Sequence, residues 1–231
     1  MKKTNIQYLD YTWNPVSMRC DRVSPGCDNC WHLRMANRLA ANPMMGLEKR
    51  PAYAGGNPVM DGAELDAPLK LKKPSRIGVQ FMGDLFHEKI QSAWLSGIFN
   101  VMKNCPQHTF FILTKRPKHL LNFVAGLGEL DNIWFGVSVE NQETADRRIP
   151  ILLQCPVKHR WISAEPLLGK INIIKYLGGC NETEEHGRTS LQGCGNGRIG
   201  NRHRGESLEG SLSQGGSLEL RDKGDSMSTA T

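Results

Sequence analysis

The chain has no long apolar run. Nowhere in its 231 residues do uncharged apolar side chains continue for the ~18 positions that a membrane-crossing helix needs. The longest such stretch, around Phe110 to Leu113, is only a strand's length, so membrane insertion is not expected. The opening MKKTNIQYLDYTW also lacks an apolar stretch that could serve as a signal-peptide core. Cysteine is present but unevenly numbered: seven residues are an odd count for a secreted disulfide scaffold. The expected location is therefore a reducing cytoplasm. Residues 181 to 231 lack aromatics and valine altogether and hold ten glycines and many serines, as in GESLEGSLSQGGSLE. Such a segment cannot bury enough apolar surface to offset its conformational entropy, which predicts a disordered tail. Acidic charge is in short supply too: the net charge is +6, and the basic excess lies before residue 181. That balance favours anionic partners such as nucleic acid, nucleotides or phosphates.

What is present, from 1 to 180, reads as one α/β domain. Apolar positions at helical spacing place the first helix over 28–41, closed by Pro43. Residues 42–73 carry Pro43, Gly46, Pro51, Gly55, Gly56, Pro58 and Gly62 and read as a long irregular loop. Strands are expected at 77–82, 109–114, 133–139 and 157–163. Between them lie a helix with an apolar face at Ile90, Trp94, Leu95, Ile98, Phe99 and Met102, a short helix opened by Pro117, and a helix capped by Asn141 that must break or kink near Pro150. Strict alternation of apolar strands and helices indicates parallel βαβ units with the sheet covered by helices. A doubly wound sheet and an incomplete βα barrel both fit this pattern.

The densest chemistry is Cys20-Asp-Arg-Val-Ser-Pro-Gly-Cys27-Asp-Asn-Cys30. A two-residue gap lets Cys27 and Cys30 chelate one centre from a turn, and the Pro25-Gly26 bend can return Cys20 to the same point. Thiolates at a helix start are further favoured by unpaired amide donors. Two chemistries suit three sulfurs. They can ligate three irons of a [4Fe-4S] cluster whose fourth iron is left for a substrate, or His32 can complete a Cys3His zinc site. Cys105 and Cys155 sit at element ends and read as packed thiols, while Cys180 and Cys194 fall at the tail.

Each expected strand finishes in a polar cluster: Gly83-Asp84 with His87, then Lys115-Arg116, then Ser138-Val139-Glu140-Asn141, then Ser163-Ala164-Glu165. Functional side chains gather at the C-terminal ends of parallel strands. Asp84, Glu140 and Glu165 could bind an amine or ribose hydroxyls, and Lys115 with Arg116 could clamp a carboxylate or phosphate. The run Lys70, Lys72, Lys73 and Arg76 could contact nucleic acid, although such charges are more often solvated. The five tryptophans read as core or rim residues.

The stretches TWNPVSMRCDRVSPGCDNCW, FMGDLFHE, CPQHTFFILTKRP, WFGVSVENQETADRRIP and WISAEPLLG, within residues 6 to 172, resemble a phage and prophage family defined by a three-cysteine motif. That family in turn looks like a divergent branch of the radical S-adenosylmethionine proteins. The resemblance implies a partial, TIM-like βα barrel, a [4Fe-4S] cluster on Cys20, Cys27 and Cys30, and S-adenosylmethionine as cosubstrate. By position, Gly83-Asp84 would match the Gly-Gly-Glu type segment that contacts the methionyl amine, and Ser138 and Glu140 would lie near the ribose. It implies a phage-encoded protein of the host cytoplasm acting on an unidentified substrate, with a nucleic-acid-linked one as an option. The chain departs from the usual pattern in its six-residue first gap, in Asn29 where an aromatic residue is usual, and after the Glu-Pro-Leu-Leu-Gly segment, where relatives continue with ordered elements. A non-enzymatic zinc-stabilised binding module and an inactive remnant of a truncated or frame-shifted gene are the rival expectations.

Overall fold

The computed structural model describes residues 1–128 and 130–177 together with the segments 183–185, 188–190 and 217–220. In chain order, β1 (Lys2–Lys3) pairs antiparallel with β2 (Tyr11–Trp13), and β3 (Val16–Ser17) precedes the cysteine segment. Helix α1 (Trp31–Ala41) follows, then α2 (Lys49–Tyr53), β4 (Val59–Met60) and α3 (Gly62–Leu65). The regular part continues as β5 (Arg76–Val79), α4 (Ser92–Lys103), β6 (Thr109–Thr114), α5 (Pro117–Val124), β7 (Ile133–Ser138), α6 (Gln142–Gln154) and β8 (His159–Ser163). Strands β2, β5, β6, β7 and β8 are neighbours in that order and parallel throughout.

Strand order thus follows chain order without reversal, which separates this sheet from a doubly wound one, whose order reverses at a switch point. Alternation along the strands divides the two faces. On β6, Phe110, Ile112 and Thr114 are buried while Phe111 and Leu113 are half-buried. The buried set joins Ile98, Phe99, Leu120, Val124, Ile149 and Leu152 of the helices in one core. The opposite face is lined by rings instead of helices: Trp161 lies 5.8 Å from Phe111 and 5.7 Å from Tyr8, and Trp134 lies 5.5 Å from Phe111. Gly136 makes room for that layer, because a Cβ there would stand 2.4 Å from the Trp161 indole. The expected helical cover is present on the first face, and among the described residues the second face carries this ring layer.

Several local expectations need correction. The first parallel strand, β2, has only three residues and no alternation long enough to read. Within residues 42–73 the ordered elements are few and short, as expected: α2, α3 and β4, which pairs antiparallel with β3. Strand β5 stops at Val79, short of Met82, because Gln80 turns into the left-handed region at φ 55°. There its side chain accepts from the Val16 amide at 3.1 Å and donates to the Val16 carbonyl at 2.8 Å. Helix α6 runs through Pro150 to Gln154 without breaking, held by Ile149 and Leu152 on the core. Its start is as expected, with Asn141 and Thr144 exchanging capping bonds. Most of the expected disordered tail, with Cys180 and Cys194, lies outside the described residues. Within it, β9 (Thr183–Glu185) and β10 (Arg188–Ser190) form a hairpin, and β11 (Ser217–Leu220) adds antiparallel to the edge of β8. Among the described residues no helix is long and apolar enough to cross a membrane.

Candidate metal centre at the sheet mouth

The cysteine segment reaches the mouth of the sheet because β3 is clamped by Gln80 and Met18 is buried beneath Gly83, where a Cβ would stand 2.8 Å from the Met18 sulfur. Gly83 itself has φ 141°, a conformation that side chains disfavour. Beyond Cys20 the chain makes a 3-10 turn, Pro25–Cys27, with the Cys27 amide donating to Ser24 O at 2.8 Å and the Cys30 amide to Cys27 O at 3.3 Å. Cys30 then caps α1 in extended conformation.

Three strand ends meet this loop, and a fourth lies beside them. From the end of β6, Lys115 Nζ lies 3.8 Å from Cys27 Sγ and Arg116 Nη1 lies 3.7 Å from Cys20 Sγ. Beyond β5, Asp84 accepts from Thr114 Oγ1 at 2.7 Å, the Phe86 amide at 3.0 Å, the Lys115 amide at 3.1 Å and Arg116 Nη1 at 3.2 Å. Arg116 also pairs with Glu88 at 3.0 Å. Beyond β7, Glu140 is 0% exposed and bonds Lys115, Arg148, Ser24 and the Gly26 amide. His87 Nδ1 accepts from the Lys89 amide at 3.1 Å, so its Nε2 carries the proton and donates to Asp21 of the cysteine loop at 3.0 Å. Beyond β8, Glu165 O accepts from Oγ of Ser138, the last residue of β7, at 2.7 Å, and the Glu165 carboxylate stays exposed.

The electrostatics of the thiols differ. Burial, aided by Asp84, pushes Cys20 up to about 11 against the opposing pull of Arg116. Burial would also raise Cys27, but the Val23 backbone, the Lys115 ammonium and Ser24 outweigh it and hold that thiol below its ordinary value. Glu140 behaves likewise: burial is outweighed by Lys115, Ser24 and Arg148, and the carboxyl stays below its ordinary range.

The donor chemistry fits a thiolate-ligated cluster. Three soft ligands lie on one loop, and Arg116 and Lys115 stand beside the sulfurs of Cys20 and Cys27, where they offset thiolate charge. The side chains are not yet gathered round one point: among the described residues no group of three or more His, Cys, Asp or Glu is arranged to hold a metal ion. His32 fits less well. Its Nε2 accepts the Cys20 amide at 3.3 Å, so the buried Nδ1, which has no partner among the described residues, carries the proton. Burial, then Arg19, lowers His32 to about 4, which keeps the ring neutral.

Of the residues expected at the site, Cys20, Cys27, Asp84, Lys115 and Glu140 join one bonded network. Ser138 is linked to it through Arg148, which donates to the Ser138 carbonyl at 2.6 Å. Glu165 sits at its edge, and among the described residues no side-chain bond ties Cys30 in. Asp84 and Glu140 differ from expectation in one respect: internal donors already occupy both carboxylates, leaving Glu165 as the exposed acid. Sequence reasoning missed Ser24, Asp21 and Arg148. For Arg148 a signal existed, because it falls on the buried stripe of Ala145, Ile149 and Leu152, where a charge needs a partner. Trp31, expected in core or rim, is 52% exposed beside Cys30.

A family model with the description "Protein of unknown function (DUF5131)" matches residues 3–188. No curated protein and no solved structure matches the chain.

Proposed function

The chain belongs to the DUF5131 family, described as proteins of unknown function, and from the chemistry of its site we propose that it is a radical-S-adenosylmethionine-like iron–sulfur protein. What carries the reading is the placement of three cysteines, on one eleven-residue loop, over the C-terminal ends of parallel strands, with Lys115 and Arg116 beside two of the sulfurs. Cys20, Cys27 and Cys30 would hold the iron, and when bound such a cluster supplies the electron that reductively cleaves S-adenosylmethionine. Lys115 and Arg116 moderate the negative charge of the site. Gly83 lets the backbone line the mouth without a side chain. Glu165, exposed although Ser163 Oγ donates to its Oε2 at 3.4 Å, is the carboxylate that would meet ribose hydroxyls or an amine, whereas Asp84 and Ser138 shape the wall. With this reading goes an incomplete TIM-like barrel, supported by strand order that never reverses and by an inner face filled with rings.

Anaerobic reconstitution followed by iron analysis, absorbance and electron paramagnetic resonance tests it. A cluster whose spectrum shifts on adding S-adenosylmethionine, lost on Cys20→Ala, Cys27→Ala or Cys30→Ala and retained in His32→Ala, is the expected result. No cluster, or one indifferent to S-adenosylmethionine, refutes it.

A second reading, a zinc-stabilised module that binds nucleic acid or a nucleotide, draws on the outer face of α1. Trp31, Arg34 and Arg38 are exposed there at helical spacing, and the helix holds no acidic residue, a combination suited to stacking a base and meeting phosphates. As a zinc ligand, however, His32 would have to give up the Cys20 amide. Bound zinc lost on His32→Ala would favour this module. Salt-dependent binding of a labelled single-stranded oligonucleotide that falls in Trp31→Ala is compatible with either reading and would make the substrate nucleic-acid-linked.

A further inference from the structure

We propose that Glu140 is the positioning residue of the cysteine loop: it anchors the turn that presents Cys27 and does not contact a ligand. The resemblance would put this carboxylate beside a ribose. Its surroundings put it inside the protein, fully enclosed. Oε1 accepts from Ser24 Oγ at 2.7 Å, and Oε2 accepts from the Gly26 amide at 3.4 Å. Both donors belong to the turn that ends in Cys27, 114 and 116 residues away in sequence.

The carboxylate is held from below as well. Arg148 Nη1, itself buried, lies 3.2 Å from Oε1 and donates to the Ser138 carbonyl, while Lys115 Nζ lies 2.5 Å from the same oxygen and 3.8 Å from Cys27 Sγ. Glu140 thereby ties the loop to α6 and to the ends of β6 and β7 through charge-assisted bonds, the strongest class available to it. The fit is close enough to dictate a residue in the loop: a Cβ on Gly26 would stand 2.6 Å from Glu140 Cδ, so position 26 takes glycine because the carboxylate occupies that space. Glu140 has no exposed edge left for a ribose.

The anchor can be tested on the metal-free full chain by residue-resolved alkylation with N-ethylmaleimide and mass spectrometry under native conditions. Cys105 and Cys155, buried in the core, report whether the fold is intact. Glu140→Ala should speed Cys27 modification about tenfold or more, Ser24→Ala severalfold, and Glu140→Gln should stay nearest the parent because its amide oxygen still accepts from Ser24. Cys105 and Cys155 should remain slow in Ser24→Ala and Glu140→Gln. The proposal is overturned if Cys27 keeps its parental rate in Ser24→Ala and Glu140→Ala, or if all five described thiols accelerate together in Ser24→Ala. The consequence for metal rests on the iron–sulfur reading: iron uptake should fall in Glu140→Ala and recover in Glu140→Gln. A parent chain that takes up no iron would defeat that reading while leaving the alkylation result, and the anchor, in place.

Discussion

The two ends of the same parallel sheet hold the same residue type in opposite settings. At the C-terminal end the loop that carries Cys20, Cys27 and Cys30 meets Lys115, Arg116, Asp84 and Glu140 from the strand ends, through Cys20 and Cys27. At the N-terminal end Cys105 precedes β6 and Cys155 precedes β8, both buried and both with thiols raised by burial. Around those two the polar bonds go to backbone: Asn132 Nδ2 donates to Cys105 O at 3.1 Å and Arg160 to Cys155 O at 2.7 Å. Cys105 and Cys155 are enclosed packing residues, whereas at the other end Arg116 Nη1 lies 3.7 Å from Cys20 Sγ and Lys115 Nζ 3.8 Å from Cys27 Sγ, cations that make a thiol available for chemistry. The contrast follows from chain direction, because in a parallel sheet every β-to-α connection emerges at one end.

The difference can be erased, strained or resolved by mutation. Phe135→Ala, removing a ring stacked 6.0 Å from Phe99 beneath both ends, should cost about 3–5 kcal/mol in urea unfolding and disable the two ends together. Asp84→Ala should cost about 2–4 kcal/mol, since Arg116 keeps Glu88 but loses its buried partner; a loss below about 0.5 kcal/mol would mean that the mouth network contributes little. Cys105→Ala should cost about 1 kcal/mol and leave iron uptake unchanged, whereas Cys30→Ala should stay within about 0.5 kcal/mol of the parent and abolish uptake. Reversal of that pair would overturn the division between the ends. The smallest effect concerns exposed Asp146, which Tyr176, then Lys175 and Gln142, hold down to about 2, against an ordinary value of 3.8. With the folded value below the unfolded one, its contribution is complete above about pH 4 and fades as the pH falls toward 2. Urea midpoints of the parent and Asp146→Asn should therefore differ slightly at pH 6 and converge near pH 2.

Much of the regular fold was legible. Thr109–Thr114 and Pro117–Val124 fall at the expected residues, because an apolar β-branched run and a proline at a helix start act through neighbouring residues alone. The end of strand β5 is not legible, because it is set at Gln80 by a side-chain bond to Val16, 64 residues earlier. The candidate site divides the same way: spacing and residue type picked out the cysteines and strand-end polar groups, but nothing local tells an exposed carboxylate such as Glu165 from an enclosed one such as Glu140.

By itself the sequence determined the alternation of strands and helices, the parallel sheet, and the cysteine loop placed before the first helix, since hydrophobic period, turn residues and ligand spacing are encoded in adjacent positions. Only the tertiary structure decided that strand order never reverses, that the second face is filled by rings, that His32 is turned to the Cys20 amide and that Glu140 is enclosed. Those outcomes depend on contacts between distant segments, where desolvation and the supply of hydrogen-bond donors decide what a charged side chain can do.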